Sequence, residues 1–345
     1  MREVPSRADA QRLAELLPPL LTRRTGRRVT AITELRTLSG GVSRHTWSFD
    51  AVDEDGTVRG LILQQRPGFA LEPGIETSTE AALLTAAREA GVPVPELVVA
   101  DPEGDDLGLP SLITERIEGE TIPQRILRDE RYDAARAVLA SQYGEALGRL
   151  HRIPVEGLAL TRQDPVEYTR EVLDTLGDPH PALELGVRWL EHHRPPSGTT
   201  VVCHGDFRNG NGIVGPDGLR AVIDWELAHL GDPLEDVAWS CLRAWRFGHP
   251  MPVGGFGTYG EFVAAYERAA GRRVDPEAFH WWQVAGTLRW AALCAMQTVT
   301  SRSGTRESIE FTAVGRRICE AEFDLLLLLP TIWSQNPEAQ MRSPS

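Results

Sequence analysis

The sequence predicts an α+β chain with two unequal lobes, and three observations predict it. Short strand-type runs bounded by turn residues fill the first third, with one helical pattern among them. The remainder reads as mainly helical. A loop and hairpin at 201–224 interrupt those helices and gather the residues best suited to chemistry. At 345 residues the chain has length for a large core and two subdomains.

The elements follow in order. Residues 7–24 place Leu13, Leu16, Leu17, Leu20 and Leu21 at the spacing of an amphipathic helix. Pro18-Pro19 should break or bend it. Val29 to Thr37, His45 to Val52 and Val58 to Gln65 read as three strands. Leu38-Ser39-Gly40-Gly41-Val42-Ser43 joins the first two, and an Asp55-Gly56 turn joins the second to the third. Glu76 to Ala90 is a helix closed by Gly91, and Pro93 and Pro95 start a loop. Leu97 to Ala100 and Ser111 to Ile117 add two strands around Pro102-Glu103-Gly104-Asp105. This order amounts to a small antiparallel sheet with one packed helix. Glu118-Gly119-Glu120 is a connector. Beyond it, residues 132–151 carry Ala135, Val138, Leu139, Leu147 and Leu150 on a helical stripe. Helices resume at 233–247, 258–270, 276–300 and 306–329. The polar stretch Asn336 to Ser345 is expected to be disordered.

Composition narrows the possible partners. The net charge of −13 argues against bulk nucleic-acid binding, which needs basic surface. It permits a cationic substrate without identifying one. All 36 basic residues are arginines, a point that matters at phosphate sites, where lysine is usual. Cys203, Cys241, Cys294 and Cys319 lack metal-ligand spacing and read as reduced thiols in a cytoplasmic protein. No signal-peptide pattern opens the chain. The run Leu325 to Leu329 is too short to span a bilayer, so no membrane partner is expected.

The chemistry concentrates in His204-Gly205-Asp206-Phe207-Arg208-Asn209-Gly210-Asn211, followed by Ile223-Asp224-Trp225-Glu226. Gly212-Ile213-Val214, the turn Gly215-Pro216-Asp217-Gly218 and Leu219 to Ile223 form a hairpin. A hairpin brings its outer ends together, so Asn211 and Asp224 should reach one cation. Magnesium accepts a carboxylate and an amide oxygen beside phosphates. Phosphoryl transfer needs this set: one carboxylate to orient and deprotonate a hydroxyl, and an amide and a second carboxylate to hold the metal. His204 reads as a brace for the loop, and Asp232 and Asp236 as organisers of the following helix. Trp281, Trp282, Arg289 and Trp290 lie on one helical segment and read mainly as core.

At these residues the chain resembles the aminoglycoside phosphotransferase and choline kinase superfamily, the small-molecule branch of the protein-kinase-like fold. The carriers are Leu38-Ser39-Gly40-Gly41, Gly91-Val92-Pro93-Val94-Pro95, Thr114-Glu115-Arg116-Ile117-Glu118-Gly119, His204-Gly205-Asp206 with Asn211, and Ile223-Asp224-Trp225-Glu226 with Gly231-Asp232-Pro233. The likeness runs from about Leu38 to Leu329, and it is similar in particular to the kinase domain fused to some acyl-CoA dehydrogenases. The resemblance implies a bilobal fold: 1–115 a nucleotide-binding lobe, 116–120 a hinge, 121–335 a catalytic and acceptor-binding lobe, 336–345 a tail. It implies ATP, with GTP an alternative donor, and Mg2+. Asp206 would be the catalytic base, with Asn211, Asp224 and Glu226 at the metal. Ser39, Gly40, Gly41 and Ser43 would cover the phosphates, and Glu115 and Ile117 would form the hinge against the base. Glu80 matches the acid that pairs with the family's phosphate-binding lysine or arginine. At that basic position the chain has Gln64. Arg66, on the same strand face, is expected to supply the cation, with Arg44 as the weaker candidate.

The resulting expectation is an O-phosphotransferase of a small hydroxylated molecule: an aminoglycoside-like sugar, an amino alcohol or a hydroxyacyl-CoA. The alternative is an inactive, pseudokinase-like nucleotide-binding protein, for which Gln64 is the best support. A metal-dependent phosphoesterase using His229 is a third reading, weakened by the absence of the second asparagine-histidine and paired-histidine elements of such sites.

Overall fold

The computed structural model describes residues 6–38, 44–67, 74–176, 179–196, 198–302 and 313–329. Ser39, Gly40, Gly41 and Ser43, the stretch 303–312 and the tail 336–345 lie outside the described residues.

Five strands form one antiparallel sheet in the order β1-β2-β3-β5-β4. They are β1 (Val29–Thr37), β2 (His45–Asp53), β3 (Val58–Gln65), β4 (Leu97–Asp101) and β5 (Ser111–Glu115). The helix α1 (Arg7–Thr25) covers one face. Leu13, Leu17, Leu20 and Leu21 pack there against Trp47, Phe49, Leu61, Leu63 and Ile113. Ser6 and Asp9 form a capping box at its start, and left-handed Gly26 ends it. The expected break at Pro18-Pro19 does not occur, because α1 runs through both prolines. Each interior proline costs roughly 3 kcal/mol. Four buried leucines return roughly 1.5–3 kcal/mol apiece, enough to carry the helix through. The other face of the sheet meets α2 (Thr77–Glu89), whose Ala81, Leu83, Leu84 and Ala87 join Leu112 in the larger core.

The chain leaves this lobe through Arg116, which pairs with Asp50 at 2.7 Å and donates its amide to the Gly60 carbonyl. Glu120 then docks on the second lobe by exchanging two backbone bonds with Val214. The second lobe holds α3 (Pro123–Arg128), α4 (Asp133–Leu150), α5 (Pro165–Leu176), α6 (Pro181–His192), α7 (Pro233–Trp239), α8 (Tyr259–Ala270), α9 (Pro276–Arg302) and α10 (Ile318–Leu328). Four short strands interrupt them: β6 (Val201–Cys203), β7 (Gly212–Gly215), β8 (Gly218–Val222) and β9 (His229–Gly231). β6 pairs with β9, and β7 with β8. The helix expected at 233–247 is shorter, ending at Trp239 before a 3-10 turn over Arg243–Arg246.

The centre of this lobe is α4 against α8. A Cβ on Gly144 would stand 2.3 Å from the Phe262 carbonyl, and one on Gly148 2.6 Å from Ala269 Cβ. Only glycine lets the helices approach this closely. α5 and α6 escaped the sequence reading. Both begin with proline and bury one apolar side, Val166 and Val172 on α5, Leu183, Val187 and Leu190 on α6.

Candidate active site

The site is built where β6 ends. Gly205 has φ +80°, and a Cβ there would lie 2.3 Å from the Leu227 carbonyl. The loop can therefore turn only at a glycine. Asp236, fully buried on α7, accepts the His204 amide at 2.7 Å and the Gly205 amide at 3.0 Å. Its other neighbour is His151 Nε2 at 3.3 Å. Burial pushes the Asp236 carboxyl up, but its hydrogen bonds and the nearby imidazoles prevail and hold it below the usual range. His204 is buried, and burial pushes its pKa down, so the ring is neutral. Nε2 donates to the Ile223 carbonyl at 3.1 Å, and Nδ1 accepts the Asp206 amide at 3.3 Å. That is the bracing role expected of it.

The Asp206 carboxylate receives three donors. Arg208 Nε approaches Oδ1 at 2.8 Å and Oδ2 at 3.1 Å. Trp239 Nε1 donates to Oδ1 at 2.8 Å, and Asn211 Nδ2 to Oδ2 at 2.6 Å. Asn211 Nδ2 also donates to the Asp206 carbonyl at 2.9 Å, which leaves Oδ1 as the atom its amide can offer a cation. The hairpin β7–β8 behaves as expected: the Ile223 amide bonds the Asn211 carbonyl at 2.9 Å and so sets Asn211 beside Asp224.

Asp224 adopts φ +69°, a strained region for a residue with a side chain. Its side chain keeps surface open to the cleft, while protein atoms surround it at longer range. This desolvation, with the negative charges of Glu226 and Asp206, pushes its pKa up, and Arg44 and Arg208 partly counter it. A group of mutually repelling acids with an amide oxygen beside them suits a hard divalent cation, which would relieve the repulsion.

The upper wall differs from expectation. Glu80 on α2 is buried, and its partner is Arg44 rather than Arg66. Arg44 Nη1 donates to Glu80 Oε1 at 2.8 Å; Nη2 lies 2.8 Å from Oε2 at an angle too poor for a second full bond. Arg44 Nε reaches Glu226 Oε2 at 3.2 Å. Burial works against the Arg44 charge, and Glu80, Glu226 and Asp224 more than offset it. An ion pair at Glu80 is thus present, made from the residue that precedes β2. Arg66 Nη1 instead lies 3.5 Å from the Gly74 carbonyl, in the segment that meets Glu226 where the Ile75 amide donates to the Glu226 carbonyl at 3.0 Å. Gln64 pairs with Thr46 on β2 and Leu112 on β5. Glu115 ends β5, and Ile117 follows it into the crossover between lobes.

Sequence reading missed Arg208 and Trp239 as partners of Asp206. The motif contains Arg208, whose basic side chain beside the acid was a usable signal; Trp239 had none. Arg208 also stacks over Trp245, 4.4 Å from the ring centre. Arg289 braces the loop, donating to the Gly205 carbonyl at 2.9 Å and pairing with Glu235 at 3.2 Å. His229 completes that network, 3.1 Å from Glu235. Among the described residues, two clusters have metal-ligand types in mutual reach: His151, Cys203 and Asp236, and Cys203, His229 and Glu235; Asp206, Asp224 and Glu226 do not form a third. In both, the two imidazole nitrogens already have protein partners. They act as struts, which removes the support for a histidine-based phosphoesterase. A groove of about 1780 Å³, bordered by Arg194, Arg243, Arg246 and Trp281, opens elsewhere on the helical lobe, and Asp206, Asn211 and Asp224 do not line it. Among the described residues no helix is long and apolar enough to cross a membrane.

The mouse protein Acyl-CoA dehydrogenase family member 10 is 28% identical over 229 residues, 63% of this chain and 21% of its own length. The chain thus spans about a fifth of that relative. Aminoglycoside 3'-phosphotransferase of Streptomyces fradiae is 27% identical over 223 residues, 61% of this chain and 78% of its own. Among solved structures, a choline/ethanolamine kinase family protein from Mesorhizobium loti shares the fold at TM-score 0.59 and 21% identity, covering 98% of this chain and 94% of its own. Spectinomycin phosphotransferase, solved with ADP and its antibiotic, shares it at TM-score 0.60 and 13% identity, covering 90% and 97%. The sequence pattern described as the phosphotransferase enzyme family matches residues 34–282, nearly three quarters of the chain and the whole of the cleft just described, and to that family this chain belongs.

Proposed function

We propose that this chain transfers the γ-phosphoryl group of ATP, with Mg2+, to a hydroxyl of a small molecule. The observation that carries the reading is the Asp206 carboxylate, fixed by three donors and tied through Asn211 and Ile223 to Asp224. Asp206 accepts the hydrogen of the incoming hydroxyl. That oxygen attacks the γ-phosphorus in line, the bond to the β–γ bridging oxygen breaks, and ADP departs. Arg208, beside the base, supplies positive charge where the transferred group is most anionic. Asp224, Glu226 and the Asn211 amide oxygen would hold the magnesium. When bound, that ion neutralises charge on the β- and γ-phosphate oxygens.

The donor side follows the lobe division: 1–115 for the nucleotide, 116–120 as hinge, 121–335 for base and acceptor. Backbone amides of Ser39, Gly40, Gly41 and Ser43 cover the phosphates. Gln64 and Arg66 border them from β3 and its end, Glu80 orders the cation beside them, and Glu115 and Ile117 flank the adenine. GTP is the alternative donor. The acceptor classes are an aminoglycoside-like sugar, an amino alcohol, or a hydroxyacyl-CoA, the last supported by the acyl-CoA dehydrogenase relatives.

The test is incubation with MgATP and a panel of alcohols, sugars and hydroxyacyl-CoA esters, with phosphorylated product read by mass spectrometry. A product that forms with the unmodified chain and not with Asp206→Asn supports the reading. Nucleotide binding with no turnover on any acceptor favours the pseudokinase alternative.

A further inference from the structure

Glu80 poses a problem that the third strand does not solve. It is 3% exposed, and a buried carboxylate without a partner is strongly destabilising. Gln64, on β3, carries no charge. The register between β2 and β3 shows where compensation comes from. Thr46 stands opposite Gln64 and His45 opposite Gln65. Arg44 immediately precedes His45, the first residue of β2, and lies just beyond that register. From there Arg44 Nη1 donates to Glu80 Oε1, Nη2 stands close to Oε2, and Nε reaches Glu226.

We propose that Arg44 is the residue that binds the nucleotide phosphates by charge in this chain, with the cation moved from β3 to the start of β2. The proposal rests on the nucleotide-dependent reading above. Three features argue for it beyond simple ion pairing. Arg44 faces Glu226 and lies near enough to Asp224 to feel its charge, so it borders the metal side of the cleft as well as α2. Two carboxylates, Glu80 and Glu226, share this one guanidinium, which leaves local negative charge for a metal–nucleotide complex to balance. The neutral Gln64 also fits: a second cation there would compete for the same Glu80 carboxylate. Arg66 is excluded as the partner of Glu80 because that carboxylate already has its fork-shaped partner.

The experiment measures fluorescent ADP affinity with Mg2+ and thermal melting for the unmodified chain, Arg44→Gln, Arg66→Gln, and the double variant Arg44→Gln with Gln64→Arg. Arg44→Gln should weaken nucleotide binding tenfold or more. The double variant, which restores the cation on β3, should regain affinity to within about threefold of the starting value. Unchanged affinity in Arg44→Gln, or a loss confined to Arg66→Gln, overturns the proposal. If Arg44→Gln fails to fold, the double variant decides: folded and binding supports it, folded without binding overturns it. If the unmodified chain takes up no nucleotide, the phosphotransfer reading fails first and Arg44 is a strut between the lobes, which overturns this proposal too. A binding chain with an indifferent Arg44 overturns this proposal alone.

Discussion

At Asp206 three donors converge on one carboxylate, so its two oxygens have little freedom to rotate. In its proposed role as base, Asp206 contributes chiefly by orientation, and replacing it removes both the orientation and the proton acceptor. Asp206→Asn should lower kcat by roughly 100- to 10,000-fold while leaving nucleotide affinity within a few-fold, as read by steady-state kinetics beside direct binding. An affinity loss matching the rate loss would mean that Asp206 serves the donor and not the acceptor. The same residues explain what the sequence discloses. Asp206, Asn211 and Asp224 were legible because a single loop and hairpin hold them, and short-range turn chemistry fixes their geometry. Trp239 was not, and Arg44 was only the weaker candidate, because their partners, Asp206 and Glu80, are distant in sequence and meet only after α7 and α2 have packed.

Elements are governed by how closely they approach. α4 and α8 meet through Gly144 and Gly148, and a side chain at Gly144 would drive into backbone. Gly144→Ala should destabilise by roughly 1–2 kcal/mol even after the gain in helix propensity. Gly260, in α8 with open space around its Cβ position, should respond in the opposite sense, gaining roughly 0.5–1 kcal/mol as alanine. Urea unfolding of both variants tests the pair, and equal signs would refute the close-approach argument. The junction of β9 and α7 carries a pH dependence. Burial opposes the charge of His229, but the Glu235 carboxylate prevails and raises its pKa to about 9. Since the folded value lies above the unfolded one, near 6.5, the pair's contribution is complete below pH 6.5. It fades as pH rises through 9. Melting temperature should therefore fall between pH 7 and 9.5 by more in the unmodified chain than in His229→Gln. Parallel profiles would show that the imidazole is uncharged in the fold. The β7–β8 hairpin was legible from its turn, whereas α5, α6 and the β6–β9 pairing depend on long-range packing, the two helices against α9 and β6 against α7, which periodicity does not encode.

For the whole molecule, the cleft trades stability for binding. Asp224 is held at φ +69°, beside Glu226 and within range of Asp206, so its charge and its backbone both oppose folding. Asparagine tolerates that backbone region and carries no charge. Asp224→Asn should thus raise the melting temperature of the nucleotide-free protein, or leave it unchanged, while removing a metal-binding group. Ligand binding works in the other direction. A ligand at a hundredfold its dissociation constant stabilises the folded state by roughly 2.7 kcal/mol. Saturating MgATP should raise the melting temperature of the unmodified chain by several degrees, and chelation of the metal should cancel most of that rise. In Asp224→Asn the nucleotide-free chain should melt no lower, yet the magnesium-dependent part of the rise should vanish. The two measurements cross, and no general loss of folding produces that pattern. If the variant melts lower without ligand and keeps its magnesium response, Asp224 is a structural residue and the metal lies elsewhere.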